Sequence, residues 1–232
     1  MHIPDGFLDA PTSVAGGVLA VAGVAYCLRR ASTELDDRLA PMAGLVAAFV
    51  FAVQMLNFPV AAGTSGHLLG GVLAAVLVGP AAGALCVAVV LMVQALFADG
   101  GLTALGLNIT IMGLVTAFAG YAVYRALLAV LPRREASVPL AAGLAAGVSV
   151  PVAAAAFTAF YALGATSDVP VGTVLGAMVG VHVLIGIGEG VITGLTVGAV
   201  IASRPDLVHG AALVRRPLEV RTQAPAVPAG GA

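Results

Sequence analysis

The chain has 232 residues, of which 60% are hydrophobic and 9% are charged, and its formal net charge is −1. A mean hydropathy of +1.09 excludes an ordinary soluble domain and predicts a polytopic protein whose main solvent is the bilayer. Ten basic and eleven acidic residues form no basic stripe, so nucleic acid is excluded as a partner.

The first two residues carry nitrogen atoms that together can chelate a metal ion. The free α-amine of Met1, the amide nitrogen of His2 and the imidazole Nδ1 of His2 close a five-membered and a six-membered ring on one ion. Three nearly coplanar nitrogens suit Ni(II) or Cu(II) better than tetrahedral Zn(II), and a fourth nitrogen from elsewhere completes the square. The alternative is an ordinary solvated terminus.

The residues before the first apolar segment argue against removal of the N-terminus. A signal peptide begins with a basic region, whereas this chain has Asp5 and Asp9 there. We therefore expect Met1 to be retained, with an amine that is unformylated and neutral when it binds metal.

Apolar windows define the predicted membrane spans. Six of them have the length of about 17 to 25 residues that crosses a bilayer: 11–30, 41–58, 82–98, 105–131, 139–164 and 172–203. The segment 66–80 is shorter and contains glycine, so it is either a short span or a re-entrant segment. Counted as a span, it predicts an all-α integral membrane protein, with a seven-transmembrane-helix bundle and metal-binding domain over residues 1–205.

The basic residues predict the orientation of this bundle. Cytoplasmic loops are enriched in Lys and Arg, and under a seven-span arrangement with the N-terminus outside, every arginine falls on the cytoplasmic side. The outer loops then carry only acidic residues. The arginines are Arg29, Arg30, Arg38, Arg125, Arg133, Arg134, Arg204, Arg215, Arg216 and Arg221.

The last residues predict a tail rather than a further helix. Residues 206–232 include Pro217, Pro225 and Pro228, and they end in Gly-Gly-Ala. Such a composition buries too little apolar surface to order itself. We expect a disordered cytoplasmic tail.

His67 is the candidate for the fourth nitrogen. It follows Gly63-Thr64-Ser65-Gly66 and begins the third span, on the same side of the membrane as His2. An imidazole at a helix N-terminus is disfavoured as a cation, so it stays neutral and able to bind metal. A packed or capping histidine is the alternative.

Three polar residues flank the outer loop 98–101. They are Gln94, Asn108 and Thr110. Apolar helices admit such side chains mainly where they face a partner or a cavity. The carbonyls of Gln94 and Asn108 are eligible acceptors for the second N–H of a metal-bound imidazole, and Thr110 extends this outer shell. Hydrogen bonds between helices, without a metal role, are the alternative.

His182 and Glu189 lie two turns apart on one face of the last predicted span. Ionisable groups inside a membrane are costly and mark function. We expect a structural or coupling role, with direct metal binding as the alternative. A different class of function is a stand-alone proton-coupled metal carrier or intramembrane enzyme that uses both residues as a proton relay.

Several catalytic motifs are missing. The sequence has no phosphate-binding Gly-Lys-Ser/Thr loop, no nucleophile elbow and no HExxH pair. The chain is therefore predicted not to be an enzyme, and any ATP is hydrolysed by another subunit.

Four stretches carry a resemblance to a known family. They are Met1-His-Ile-Pro-Asp-Gly-Phe-Leu8, Gly66-His67, Gly100-Gly-Leu-Thr-Ala-Leu-Gly-Leu-Asn-Ile-Thr-Ile-Met-Gly113 and His182-Val-Leu-Ile-Gly-Ile-Gly-Glu-Gly190. Through them, residues 1–203 resemble the substrate-binding membrane subunit of nickel/cobalt energy-coupling-factor transporters, the CbiM/NikM family. The N-terminal motif is the most specific of the four.

The resemblance implies a function, a ligand set and partners. It implies uptake of Ni²⁺ or Co²⁺ as the transported substrate, bound by the Met1 amine, the amide and imidazole nitrogens of His2, and His67. Pro4-Asp5 resembles the nickel-type members. The implied partners are a transmembrane coupling subunit, cytoplasmic ABC-type ATPases and a small accessory membrane subunit. The implied location is the prokaryotic cell (inner) membrane.

Overall fold

The structure is a computed structural model that describes residues 1–34, 39–59 and 65–214. Within these ranges it is a helical bundle preceded by an N-terminal segment. The helices are α1 (Ala10–Glu34), α2 (Leu39–Gln54), α3 (Gly71–Val78), α4 (Pro80–Leu96), α5 (Leu105–Asn108), α6 (Thr116–Val130), α7 (Ser137–Gly164) and α8 (Val171–Ser203). A π-helical segment, Ile109–Val115, joins α5 to α6. Two short antiparallel strands, β1 (Phe58–Pro59) and β2 (Ser65–Gly66), precede α3.

Four helices in the described part of the chain are long and apolar enough to cross a membrane. They are Ala10–Thr33 in α1, Leu105–Val130, Ser137–Gly164 (α7) and Val171–Ser203 (α8). The second of these combines α5, the π-helical segment and α6. The helices α2 and α4 are apolar but shorter, with 16 and 17 residues. Length and composition therefore support four of the seven predicted spans directly.

The segment 66–80 forms a short buried helix rather than a full span. Its helix, α3, has eight residues, all of them buried. Eight residues extend about 12 Å, whereas the hydrocarbon core of a bilayer is about 30 Å thick. The backbone of Gly79 has a φ of 92° between α3 and Pro80, which begins α4. Glycine adopts this conformation without strain, so the chain turns directly from one helix into the next.

The longest helices present apolar side chains to the outside. On α8, Leu184 and Leu195 are each 70% exposed, and on α1 Val21 is 72% exposed. A soluble protein rarely exposes so much apolar surface, whereas lipid tails solvate it well. The buried face of α7 instead consists largely of alanines that pack into the bundle.

Glycines let α7 and α8 approach closely. A Cβ atom added at Gly186 of α8 would lie 2.5 Å from the carbonyl oxygen of Gly147 on α7, and one added at Gly190 would lie 2.8 Å from that of Gly143. Small residues at such crossings allow backbone-to-backbone packing in a membrane.

The packed chain extends beyond the predicted start of the tail. Two 3-10 helices follow α8, Pro205–Leu207 and His209–Leu213. The Tyr124 hydroxyl donates a hydrogen bond to the carbonyl oxygen of Gly210 at 2.9 Å, and Ala211 is buried. The prediction of disorder from residue 206 is therefore wrong for 206–214, because these residues bury apolar surface against the bundle. The rest of the predicted tail, 215–232, lies outside the described residues.

Substitution at Gly186 tests the close contact between α7 and α8. We expect Gly186→Ala to lower the free energy of unfolding by about 1–3 kcal/mol, because the new methyl group forces the helices apart. Gly188→Ala is the matched control, since its Cβ would meet nothing within 4 Å. It should be neutral or stabilising, because alanine favours a helix. Thermal unfolding in detergent measures both, and equal effects would contradict the packing described.

Candidate metal site

The N-terminal segment lies inside the bundle. Met1 and Ile3 are 1% and 0% exposed, and His2 is 5% exposed. The predicted chelate is thus enclosed by protein, and the terminus is not a solvated one. In such an interior each backbone polar group of the segment needs a partner.

The loop between α4 and α5, together with Asn108 at the end of α5, supplies these partners. Asn108 accepts a hydrogen bond from the Ile3 amide at 2.8 Å and donates from Nδ2 to the Ile3 carbonyl oxygen at 3.2 Å. The same carbonyl accepts a bond from the Gly101 amide at 2.9 Å. Further along, an Asp5 carboxylate oxygen accepts bonds from the Thr103 amide and hydroxyl at 2.7 and 2.5 Å. Both backbone polar groups of Ile3, the residue after His2, are therefore fixed.

The same loop packs directly on the His2 ring. Gly100 has a φ of 105°, and a Cβ atom added there would lie 2.9 Å from Nδ1 of His2. Both facts require glycine at this position. An Asp99 carboxylate oxygen lies 3.7 Å from Nε2 of His2.

His67 lies against His2 and keeps one nitrogen available. The two rings stack with centroids 4.6 Å apart and planes inclined by 28°. When two imidazoles bind one ion at neighbouring corners of a square, the angle between their metal–nitrogen bonds is about 90°. With metal–nitrogen bonds of about 2.0 Å, their ring centroids are then about 4–5 Å apart. Nδ1 of His67 lies 2.8 Å from the Leu68 carbonyl oxygen, which can only accept, so Nδ1 carries the hydrogen. Nε2 of His67 consequently has its lone pair free.

Burial makes the nitrogen groups of the terminus neutral. It lowers the pKa of the Met1 amine from 8.0 to about 4, against a smaller opposing effect of the Asp99 charge. Burial also lowers the pKa of the His2 imidazole from 6.5 to about 3, with a further contribution from the nearby amine. Near neutral pH both groups therefore carry the lone pair that metal binding needs.

Unpaired buried polar atoms concentrate on the predicted residues. Such atoms are rare in folded proteins, and each calls for an explanation. Those without a hydrogen-bond partner in the described part of the chain are His2 Nε2, His67 Nε2, His182 Nε2, both amide atoms of Gln94, and Gln54 Oε1. Among the described residues, no three His, Cys, Asp or Glu side chains form a conventional metal site.

The three predicted outer-shell residues have different surroundings. Asn108 binds the backbone of Ile3 rather than an imidazole. Gln94 is fully buried, with both amide atoms unpaired among the residues described. Thr110 donates its hydroxyl to the Gly16 carbonyl oxygen at 3.2 Å, which joins the π-helical segment to α1. Of the three, Gln94 is the one whose side-chain polar atoms have no hydrogen-bond partner among the described residues.

His182 and Glu189 are both buried on α8, as predicted, but their surroundings differ. Nδ1 of His182 lies 2.7 Å from the Met178 carbonyl oxygen, so its Nε2 holds a lone pair. The Glu189 carboxylate accepts hydrogen bonds from the amides of Leu69 and Gly70 at 2.6 and 2.9 Å. Glu189 therefore contacts the segment that carries His67.

Two residues of this region were missed by the sequence analysis. Gln54 donates to the Leu69 carbonyl oxygen at 2.7 Å, and Asp99 lies beside His2. Gln54 had a usable signal, since it is the one strongly polar side chain of α2. The sequence places Asp99 only in an outer loop. Nothing in its local sequence indicates a contact with His2, which lies 97 positions earlier.

Comparisons with known proteins agree on one family. The family model CbiM, described as the cobalt uptake substrate-specific transmembrane region, matches residues 2–207. A cobalt transport protein CbiM of Sorangium cellulosum is 38% identical over 227 residues, which are 93% of this chain and 97% of the relative. A chain of Archaeoglobus fulgidus with the provisional name of fused nickel transport protein NikMN is 42% identical over 212 residues, covering 90% of this chain and 68% of that relative.

A solved structure has the same fold. It is the crystal structure of a truncated transition metal transporter, and it superposes with a TM-score of 0.80 at 30% sequence identity. The alignment covers 87% of this chain and 99% of the other. The likeness therefore includes nearly the whole helical bundle.

The buried amine and imidazole predict a pH dependence of stability in the metal-free protein. In the unfolded chain the amine binds a proton below about pH 8 and the imidazole below about pH 6.5, whereas the folded-state pKa values are about 4 and about 3. The unfolded state thus binds more protons in between, so stability rises with pH from about 4 to 8 and falls on acidification.

Thermal unfolding of metal-free protein in detergent, between pH 4.5 and 8.5, measures this effect. His2→Asn is the control, because it removes the imidazole and keeps the amine. Its midpoint should vary less below pH 6.5 and vary like that of the unsubstituted protein above it. A midpoint that stays constant from pH 5 to 8 would mean that the amine keeps its ordinary pKa.

Proposed function

The chain belongs to the CbiM family, and we propose that it is the substrate-specific membrane subunit of an ATP-driven energy-coupling-factor transporter that takes up nickel or cobalt. In coarser terms, it is a multi-pass membrane protein and a cobalt or nickel transport component of the CbiM/NikM type. The finer proposal concerns its metal site, its orientation and its partners.

In the proposed site, four nitrogens bind the ion in a square plane. They come from the Met1 amine, the amide and Nδ1 of His2, and Nε2 of His67. The observation that carries this proposal is the stacked pair of buried imidazoles beside a buried, neutral chain terminus. The tautomer of His67 supports it, because the hydrogen on Nδ1 leaves Nε2 as the donor atom. The amide nitrogen of His2 loses its proton when it binds the ion.

A square plane of nitrogens favours nickel as the substrate. Ni(II) accepts square-planar nitrogen coordination readily, and Pro4-Asp5 resembles nickel-type sequences. The loop 98–104 covers the His2 side of the site through Gly100 and Gly101. We propose the segment 58–66 as a second cover of the site, of which 60–64 lie outside the described residues.

The proposed topology has seven membrane segments, with the site facing the exterior. Support comes from the helix ends that carry arginine. α1 begins directly after the site segment and runs for 25 residues, about 37 Å, so Arg29 and Arg30 lie far from the site. α8 begins after Ala165, which pairs with Leu8, and Arg204 follows its opposite end. Arginines remote from the site fit a cytoplasmic side opposite to it.

Partner subunits complete the proposed transporter. The chain has no nucleotide-binding motif, so ABC-type ATPases supply the energy, together with a transmembrane coupling subunit and a small accessory membrane subunit. ATP hydrolysis then reorients the binding subunit and releases the ion inside.

Metal titration of purified, C-terminally tagged protein tests the proposed site. We expect Ni(II) to bind tightly by calorimetry and to give the absorption of diamagnetic square-planar nickel. A variant with one extra N-terminal residue destroys the chelate without changing any side chain, and His67→Ala removes the fourth nitrogen. Both should weaken binding by more than about 100-fold.

His209→Ala is the control for loss of a histidine that has no role in the proposed site. It should bind nickel like the unsubstituted protein. Undiminished binding by the extended variant would overturn the terminal chelate.

A further inference from the structure

Two of the three residues between His67 and α3, Leu69 and Gly70, are held by side chains from two other helices. Glu189 of α8 accepts hydrogen bonds from the amides of Leu69 and Gly70 at 2.6 and 2.9 Å. Gln54 of α2 donates to the Leu69 carbonyl oxygen at 2.7 Å. All these groups are buried or nearly so. Residues distant in sequence thus converge on the backbone just after a proposed ligand.

The role of Glu189 is set by what its oxygens contact. Each carboxylate oxygen accepts one backbone N–H, from two successive residues just before α3. Amides that lead into a helix have no partner within that helix, and a buried carboxylate needs hydrogen bonds to be tolerated in an apolar interior. These hydrogen bonds therefore satisfy the two backbone amides as well as the carboxylate, and they fix the position of this segment.

The geometry around Gly70 leaves this segment little freedom. Gly70 has a φ of 75°, and an added Cβ atom would lie 2.8 Å from a methyl carbon of Val50. The His67 ring is tied to its own segment through the hydrogen bond from Nδ1 to Leu68. We therefore expect a displacement of the Leu69 backbone to move the His67 ring as well.

We propose that Glu189 is a positioning residue for the metal site: by holding the Leu69 and Gly70 amides, it fixes Nε2 of His67 at the fourth corner of the square plane. The proposal rests on the proposed four-nitrogen site. It assigns Glu189 a role through His67, distinct from direct binding of the ion and from a proton relay. The interactions that orient a ligand typically affect metal affinity about 10- to 100-fold.

Glu189→Gln is the sharpest substitution. The amide keeps the shape of the side chain but has one acceptor oxygen, and its NH₂ group opposes the second backbone N–H. We expect Ni(II) affinity to fall by about tenfold or more, with a shifted absorption band for the bound nickel because the fourth nitrogen is displaced. Thr158→Val on α7 is the control, because among the described residues its hydroxyl hydrogen-bonds only to Ala154 within its own helix. It should leave nickel affinity unchanged.

A double-mutant cycle separates positioning from general destabilisation. In a His67→Ala background, Glu189→Gln should change the residual nickel affinity by less than about twofold, because the ligand it orients is gone. An equal loss of affinity in both backgrounds would overturn the proposal, as would full affinity and an unshifted spectrum in Glu189→Gln alone. If His67→Ala itself binds nickel normally, the four-nitrogen site fails, which is a separate result.

A second variant keeps the test decisive if Glu189→Gln does not fold. Gln54→Leu removes the donor to the Leu69 carbonyl oxygen, a second contact that holds the same segment. We expect a smaller loss of nickel affinity that also disappears in the His67→Ala background. Persistence of that loss without His67 would contradict positioning through this histidine.

Discussion

A charged chain terminus cannot be buried in an apolar bundle, and this constraint organises the site. The Met1 amine is enclosed, so it is neutral near physiological pH and has a lone pair to offer. The backbone behind it must then find hydrogen-bond partners within the protein. Asn108 and Gly101 meet that need at Ile3, and Thr103 fixes Asp5. The segment is thereby held rigidly, which is what a chelate made partly of backbone requires.

The buried histidines extend this arrangement beyond the terminus. Hydrogen bonds to carbonyl oxygens set the tautomers of His67 and His182, and each leaves an Nε2 lone pair with no partner in the described chain. An unmatched polar atom in an apolar interior is unfavourable for folding. Several such atoms lie in one region of this protein. This is consistent with a fold that keeps polar atoms for a bound ligand and does not fill the region with apolar side chains. In the proposed function, the bound ion gives Nε2 of His67 the partner that it lacks.

The sequence allowed much of this arrangement to be predicted, and its limits have physical causes. Apolar windows located the long helices, and the chemistry of Met1 and His2 singled out a terminus that is buried, with His2 stacked on His67, while the chelate itself stays a prediction. For the segment 66–80, the sequence left a short span and a re-entrant segment both open, because hydropathy does not show which of its residues form the helix. Glu189 could be recognised as important, but not its partners at Leu69 and Gly70, since a contact across 120 positions has no local signature.

X-ray absorption spectroscopy of the nickel-loaded protein tests the central claim most directly, because it counts the atoms bound to the ion. For the proposed four-nitrogen site we expect a single shell of four nitrogen donors, two of them imidazole, with the edge feature of square-planar Ni(II). A six-coordinate shell of mixed nitrogen and oxygen donors, or a shell with only one imidazole, would contradict it.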